Sequence, residues 1–462
     1  MKGDLQIKGL LTEKRWCEYN SNSLLDKLRR NRKQIILCLA AAFIWGLAAH
    51  AYVFFHSSIS HDSLFEFVAD TDRNVWRIKL GRVFVPAYRI LFRGAITAPW
   101  LIGFLSLLYI VITVFLVTKI FDIRSKTLIA LISGVFATNI TIISTAATYI
   151  HDLDADMMAL LLAAFAVYLW KSFDKGFLYG IIPICLSLGF YQSYVSVAIT
   201  LILLYLIMQL LNGEKFGVIF KKGLKSIVML VGGGILYFLS IKAMCRITGV
   251  ALLSGSYNSL DTMLSLSVTQ IIKLVISGYK KTIYEILNVT SMYPENVICV
   301  ISIVMIAIAG IIILFRIFSK EIKIKEKLLT LVLIALLPIG MNVVYPLTGG
   351  MSHDLMHYAI WLVYLFILLI AWWAVDHIEL LKLPILRFGQ RFVIVILILV
   401  ILSGNVQVAN AAYLKKDLEA QANLSLFTRI IHQMENCEAV SYTHLDVYKR
   451  QLYILRIQAF LL

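Results

Sequence analysis

Long apolar segments separated by short polar ones make up most of the chain. A helix that crosses a membrane needs about 20 mainly apolar residues, and eleven segments reach or approach that length. The fourth segment is short and is expected to extend into its flanks. We therefore predict an all-α polytopic membrane protein with about eleven transmembrane helices. The predicted spans are 34–55, 98–121, 127–148, 155–170, 177–190, 192–211, 226–247, 297–315, 328–347, 358–375 and 392–409.

The stretch 177–211 holds two of these spans and is too long for one helix. It is interrupted only by Pro183 and by the polar residues Tyr191-Gln192-Ser193. Polar residues at one point in an apolar run favour a turn at the membrane surface. We predict a tight helical hairpin there, with a re-entrant segment as the alternative.

Two segments between the spans, 56–97 and 248–296, are long. Each includes an amphipathic stretch, 83–93 in the first and 265–288 in the second. Apolar residues on one helical face and polar residues on the other are typical of helices that lie in the membrane interface. We expect 83–93 to form such a helix, and 265–288 to form an amphipathic helix or helix pair on the same, outer side of the membrane.

Positive charge alternates along the chain and predicts its orientation. The first 33 residues contain nine Lys and Arg, and the later basic loops all follow even-numbered spans. Because short cytoplasmic loops are rich in Lys and Arg, we predict a cytoplasmic amino terminus and, with eleven spans, an outer carboxyl terminus. The basic residues of those later loops are Arg124 and Lys126; Lys171 and Lys175; Lys215, Lys221, Lys222 and Lys225; Arg316, Lys320, Lys323, Lys325 and Lys327; and Lys382, Arg387 and Arg391.

Composition agrees with this class of protein. Hydrophobic residues make up 60% and charged residues 15% of the 462 residues, whereas soluble domains have about 45–50% and about 25%. The net charge of +16 arises mostly from cations that flank apolar segments, so it does not indicate a nucleic-acid partner. We divide the chain into a cytoplasmic segment 1–33, a transmembrane domain 34–409 and an outer tail 410–440. The end, 441–462, resembles translated adapter sequence, and we expect it to be foreign to the native protein.

The first long outer segment pairs acidic with basic residues. His61-Asp62 comes soon after the first span, and Arg82 follows within a basic stretch. Moving a sugar off a phosphate requires a carboxylate that accepts the proton of the attacking hydroxyl and cations that stabilise the departing phosphate. Asp62 and Arg82 are candidates for these roles. The alternative is that Asp62 caps a helical turn and Arg82 lies among lipid phosphates.

Three carboxylates open the fourth span, in the sequence His151-Asp152-Leu153-Asp154-Ala155-Asp156. Asp152 and Asp156 are four residues apart and share a helical face. The cluster could hold a divalent cation, Mg or Mn, because both metals favour oxygen ligands. The alternative is helix capping, since carboxylates at a helix amino terminus satisfy unpaired N–H groups and the helix dipole. Whether a metal is bound stays open.

Further candidates lie on the same predicted outer side. Arg89 and Arg93 are one helical turn apart in the stretch 83–93, whose apolar face is Val83, Val85, Ile90 and Leu91. At headgroup height they could bind a lipid phosphate together with Arg82, or they could anchor the loop to ordinary lipids.

The predicted hairpin tip and a later outer loop add polar candidates. Tyr191 could stack on a sugar and Gln192 could hydrogen-bond to it, or the two could simply form a polar turn. His353 and His357 lie between the ninth and tenth spans, and a protonated His357 could pair with a lipid phosphate.

Four short motifs together resemble a known family. They are His61-Asp62, Gly81-Arg82, Asp154-Ala155-Asp156 and Gly189-Phe190-Tyr191-Gln192-Ser193-Tyr194. Over roughly 35–435 the chain resembles the bacterial glucosyltransferases of O-antigen modification and serotype conversion, members of the GT-C class. The resemblance implies a GT-C-like bundle. It also implies transfer of a hexose, glucose in that family, from a polyprenyl-phosphate carrier to a surface glycan outside the cytoplasmic membrane.

The resemblance also suggests the reaction. The family usually has two adjacent acidic residues in the first outer loop, and here the first of these is His61, which leaves Asp62 as the matching carboxylate. We expect a single displacement with inversion, with Asp62 as general base and Arg82 holding the phosphate. Asp154 or Asp152 could instead act as the nucleophile of a double displacement. The competing functions are a transporter or flippase for lipid-linked sugars and a polysaccharide polymerase.

Overall fold

The computed structural model describes residues 31–56, 70–94, 97–254, 267–287, 296–318, 322–378 and 383–435. No β-strand occurs in these ranges, and nine of their helices are long and apolar enough to cross a membrane. The predicted class is therefore confirmed: the chain is an all-α polytopic membrane protein.

The main helices of the described ranges are numbered here in chain order. They are α1 (Asn31–Phe55), α2 (Asp70–Lys79), α3 (Val85–Phe92), α4 (Pro99–Ile120), α5 (Lys126–Ala137), α6 (Ile140–Thr148), α7 (Leu153–Ser172), α8 (Ile181–Phe190), α9 (Val195–Leu211), α10 (Phe216–Thr248), α11 (Val268–Leu287), α12 (Asn296–Phe318), α13 (Ile324–Met341), α14 (Val363–His377) and α15 (Pro384–Glu435).

Each of the eleven predicted spans corresponds to helical structure, but two of the helices are shorter or more polar than a full membrane span. α8 has only ten residues, preceded by the one-turn helix Gly176–Tyr179. α13 has charged residues in its first turns, Lys325, Glu326 and Lys327. Neither is among the nine helices of the described ranges that meet the length and apolarity of a full span. The fourth span extends into its flanks as expected, over Ile150–Ser172.

The stretch 177–211 forms the predicted hairpin rather than a re-entrant segment. α8 runs antiparallel to α7, because its Ser187 Oγ donates to the Ala159 carbonyl while a Cβ on Gly180 would lie 3.2 Å from the Ala166 carbonyl. α9 runs in the opposite direction and places Tyr205 against Trp170, with ring centroids 5.4 Å apart. The short turn Gln192–Tyr194 joins the two helices.

Loops predicted to share a side of the membrane lie at the same end of the bundle. Lys171 Nζ donates to the Lys119 carbonyl and to Asp122, and Arg316 Nε donates to the Leu211 carbonyl. We call this end the lysine end. The start of α7 and the turn Gln192–Tyr194 lie at the opposite end, which we call the site end.

A single helix continues from the last predicted span, 392–409, into the described part of the predicted tail, 410–435. This helix, α15, has 52 residues and is about 78 Å long at a rise of 1.5 Å per residue. The reason is in the sequence: neither proline nor glycine occurs between Asn405 and Glu435, so nothing ends the helix where its polar part begins.

A buried histidine joins α1 to α15. His50 is fully buried, with Nδ1 2.7 Å from the Tyr413 hydroxyl and Nε2 2.8 Å from the Ala137 carbonyl. A neutral imidazole that donates from Nε2 and accepts at Nδ1 satisfies both groups.

Replacing His50 by leucine is expected to lower the free energy of unfolding by about 1–3 kcal/mol, because it leaves a buried carbonyl and a buried hydroxyl without a partner. Thermal unfolding in detergent micelles measures the effect. His56→Leu changes an exposed histidine just after α1 and is the control. Equal shifts for the two variants would contradict this role of His50.

Candidate active site

A cavity of about 580 Å³ opens at the site end of the bundle. Its wall is partly apolar, with Leu188, Val195 and Leu347 among its residues. Aromatic side chains also line it: Trp76, Tyr149, Tyr191 and Tyr237. The charged and strongly polar lining residues are Arg77, Arg82, Asp152, Asp156, Gln192 and His353.

The arginines reach the cavity because of the turn between α2 and α3. α2 ends at Lys79, and Gly81 follows with φ of 75°, the left-handed conformation that glycine adopts at helix ends. The Arg82 N–H bonds back to the Arg77 carbonyl at 2.9 Å, which closes the turn. α3 then starts with Pro86 in its first turn, where proline needs no N–H partner. Four arginines thereby come to face the start of α7.

Three of these arginines converge on one carboxylate. Asp152 accepts from Arg77 at 3.0 Å, from Arg82 at 3.3 Å and from Arg89 at 2.8 Å. Its side chain is only 4% exposed, so water screens these charges little. One anion facing three cations leaves an excess of positive charge beside the cavity.

Asp154 lies in a separate pair. Arg93 Nε donates to its Oδ2 at 2.6 Å, both side chains are fully buried, and the Tyr88 hydroxyl donates to the same oxygen at 3.0 Å. Burial, and then the charge of Asp154, raise the pKa of Tyr88, so its hydroxyl stays a donor. Asp154 and Arg93 are not among the residues that line the cavity. Their pair fastens α3 to the start of α7.

The predicted orientation of the stretch 83–93 is therefore wrong. Arg89 is 3% exposed and turns inward, whereas Ile90 and Leu91 are 71% and 78% exposed. The physical reason is that buried carboxylates hold guanidinium groups more strongly than a hydrated surface does. Of the three arginines predicted to bind the donor phosphate, only Arg82 lines the cavity.

Tyr191 and Gln192, at the hairpin tip, both line the cavity. The guanidinium of Arg82 lies 4.1 Å above the Tyr191 ring centroid. Gln192 Nε2 donates to the Leu80 carbonyl and to the Tyr237 hydroxyl, each at 2.8 Å. Gln192 thus stabilises the turn that contains Arg82, and the Tyr191 ring packs against the guanidinium of Arg82.

Asp156 is a cavity residue that the sequence-based choice of site residues omitted. It is 3% exposed, lines the cavity, and its Oδ1 has no hydrogen-bond partner among the described residues. The spacing already contained the signal: residues four apart share a helical face, whereas two residues turn the helix by about 200°. Asp152 and Asp156 therefore face the cavity, and Asp154 points away from it.

The remaining predicted residues have different positions. His353 lines the cavity. His357 does not; its Nδ1 lies 3.0 Å from Glu285 Oε2 and its Nε2 2.9 Å from Ser352 Oγ, so it ties its loop to α11. His61 and Asp62 lie outside the described residues, and their roles stay predictions.

The acidic cluster does not fit the proposed divalent cation. Asp152 and Asp154 accept from arginines instead of leaving their oxygens open to a metal. Within the described ranges no three His, Cys, Asp or Glu side chains come close enough together to hold one. We therefore assign no step of the reaction to a metal at these residues.

Two further cavity residues, Trp76 and Arg77, were not singled out from the sequence. Both lie on α2, in the long outer segment, where Arg77 is one of several basic residues that precede Arg82. Nothing in the local pattern distinguishes it from Arg73 or Lys79, because its function as an Asp152 partner depends on α7.

The chain matches a known protein family. The family described as Glucosyl transferase GtrII matches residues 51–370, which is more than half of the chain. The matched range contains every residue that lines the cavity. No curated protein and no solved structure matches the chain.

Proposed function

The chain belongs to the GtrII glucosyl transferase family, and from this membership we propose that it transfers glucose from a polyprenyl-phosphate carrier to a surface glycan on the outer side of the bacterial cytoplasmic membrane. The observation that carries the proposal is the cluster of four arginines and three aspartates at the site end, of which Arg77 and Arg82 line the cavity. The donor, the acceptor and the membrane side each have their own support.

The charges at the cavity suit an anionic donor. Arg77, Arg82 and Arg89 share Asp152, Arg93 is balanced by Asp154, and Asp156 is the remaining carboxylate of the cluster. With every group ionised, four cations face three anions. A sugar phosphodiester brings one negative charge, and its phosphate gains a second when the sugar leaves. Fixed cations stabilise that developing charge in the transition state.

A lipid carrier suits the rest of the molecule. The described residues form a helical bundle with no separate domain that could bind a nucleotide sugar. A polyprenyl chain dissolves in the bilayer and can present its sugar at the surface, next to a cavity whose wall is partly apolar. The lipid carrier therefore brings the sugar to the cavity, which in other transferases is the function of a nucleotide-sugar-binding domain.

The charge of the loops supports the proposed membrane side. Short basic loops favour the cytoplasm, and those of this chain meet at the lysine end. The site end, with the cavity, then faces outward, where surface glycans are assembled.

The reaction we favour is a single displacement with inversion at the anomeric carbon. A double displacement needs a carboxylate nucleophile within reach of the sugar. Asp154 is buried against Arg93 and Tyr88 and lies away from the cavity, and the two oxygens of Asp152 accept from three arginines. We therefore assign these two carboxylates to positioning the arginines. The hypothesis that Asp62 is the base stays a prediction.

The proposal is tested with the purified protein in lipid nanodiscs. Incubated with polyprenyl-phosphate glucose and envelope glycan, it is expected to release polyprenyl phosphate and to glucosylate the glycan. UDP-glucose in place of the lipid donor is expected to give no product.

Turnover with UDP-glucose but not with the lipid would contradict the proposed donor. A transporter would instead move the intact lipid-linked sugar across a vesicle membrane without breaking its bond to phosphate.

A further inference from the structure

We propose that Asp156 is the general base of the transfer, the carboxylate that accepts the proton of the attacking hydroxyl. This inference rests on the proposed function, since it assigns a residue to that reaction. It moves the base from Asp62 to a residue whose surroundings are described.

The acidic residues at the cavity differ in what holds them. Asp152 and Asp156 are the two carboxylates that line it within the described ranges. Asp152 accepts from Arg77, Arg82 and Arg89, so its oxygens are engaged. Asp156 Oδ1 accepts no hydrogen bond from any described residue, although the side chain is 97% buried.

A buried carboxylate oxygen is costly unless something binds it, and one that faces a cavity without a protein partner is placed to accept a hydrogen bond from a group bound there. The buried Tyr191 hydroxyl likewise has no hydrogen-bond partner in the described part of the chain. Both side chains line the same cavity. A sugar hydroxyl placed there could donate to Asp156 Oδ1 and accept from Tyr191.

The position of Asp156 relative to the arginines suits the two halves of the reaction. Arg82 lies between Asp152, which it contacts at 3.3 Å, and the Tyr191 ring, 4.1 Å away. In this arrangement the phosphate of the donor binds at the arginines, and the acceptor hydroxyl binds at the Asp156 carboxylate. Arg77 and Arg82 line the cavity with Asp156, so the donor phosphate and the acceptor hydroxyl can bind in the same cavity.

The transfer forms one bond at the anomeric carbon of the sugar and breaks another. The acceptor oxygen forms a bond to the anomeric carbon while its proton passes to Asp156 Oδ1. The bond from that carbon to the phosphate oxygen breaks, and its electron pair leaves with polyprenyl phosphate beside Arg77 and Arg82. The proton on Asp156 is then released to water in the cavity.

Asp156→Asn is the direct test, measured on the full chain in nanodiscs with polyprenyl-phosphate glucose. Loss of a general base costs about 10²–10⁴ in rate, so glucosylation of envelope glycan should fall by that factor. The matched control is Asp122→Asn at the lysine end, whose carboxylate is 74% exposed and pairs with Lys171. Thermal unfolding and binding of polyprenyl phosphate establish that both variants are folded.

Azide separates a base from a structural residue. Azide attacks the anomeric carbon without giving up a proton, so it needs no base. The Asp156→Asn variant should therefore transfer glucose to azide at a rate close to the rate at which the wild type transfers glucose to azide. The glucosyl azide should have the anomeric configuration opposite to that of the donor.

Three results would overturn the inference. Asp156→Asn could keep the full rate, or a folded Asp156→Asn could lose glycan and azide transfer alike. Asp62→Asn could lose glycan transfer and be rescued by azide, which would place the base at Asp62. Failure of the proposed function is a different result, because the wild type itself would then not consume the lipid donor.

Discussion

Asp152→Asn is expected to lower the free energy of unfolding by about 3–5 kcal/mol, the range for breaking a buried ion pair by removing one partner. The amide keeps the shape of the side chain but removes the charge that Arg77, Arg82 and Arg89 share. Three guanidinium groups would then repel one another in a site with little water. Chemical or thermal unfolding in micelles measures the loss, and the yield of folded protein should fall with it.

Asp122→Asn is the control for this variant. The same substitution at an exposed carboxylate removes an ion pair with Lys171 that water screens, and such pairs contribute about 0–1 kcal/mol. Equal effects of the two substitutions would show that Asp152 does not hold the arginines together.

Arg82→Gln is expected to lower kcat by about 10²–10³, the effect of removing one group that stabilises developing charge in a transition state. The fold should persist, because Asp152 retains the shorter contacts with Arg77 and Arg89, at 3.0 Å and 2.8 Å. Turnover of polyprenyl-phosphate glucose by the purified variant gives kcat and KM separately.

Arg124→Gln, an exposed arginine in a loop of the lysine end, provides the comparison. It removes the same charge from the chain and should leave kcat unchanged. An Arg82→Gln enzyme with wild-type kcat would show that Arg82 does not act on the leaving phosphate.

The bundle itself could be predicted from the sequence because its signal is local. Apolar runs such as 98–121 identify a membrane helix without reference to the rest of the chain, and α4 occupies nearly that range. The grouping of the basic loops at one end was predictable for the same reason, since each loop carries its own charges. The lengths of the helices were less predictable, since α8 is shorter than its predicted span and α15 is much longer.

The orientation of α3 could not be predicted in the same way. From the stretch alone, Arg89 and Arg93 face water or lipid headgroups, since charged residues in an amphipathic helix ordinarily do. Their true partners, Asp152 and Asp154, lie about 60 residues further along the chain. A pattern within one helix contains no information about a partner at that separation.

The position of Asp156 at the cavity could be predicted from the sequence only in part. The sequence shows that it shares a helical face with Asp152, and so two of the three carboxylates could be grouped correctly. Which of the two is neutralised depends on the arginines of α2 and α3 and on the turn around Gly81, and only the folded structure shows that Asp156 Oδ1 is left without a partner among the described residues.

Binding of a lipid-linked phosphate at the arginine-lined cavity of the site end can be measured by photo-crosslinking. The probe is a polyprenyl phosphate that carries a photoreactive group next to the phosphate, and mass spectrometry identifies the labelled peptides. We expect labelling of peptides that contain 76–82 and 188–193, competed by unlabelled polyprenyl-phosphate glucose. Labelling confined to peptides of the lysine end, or labelling that the glucose-bearing lipid does not compete, would contradict it.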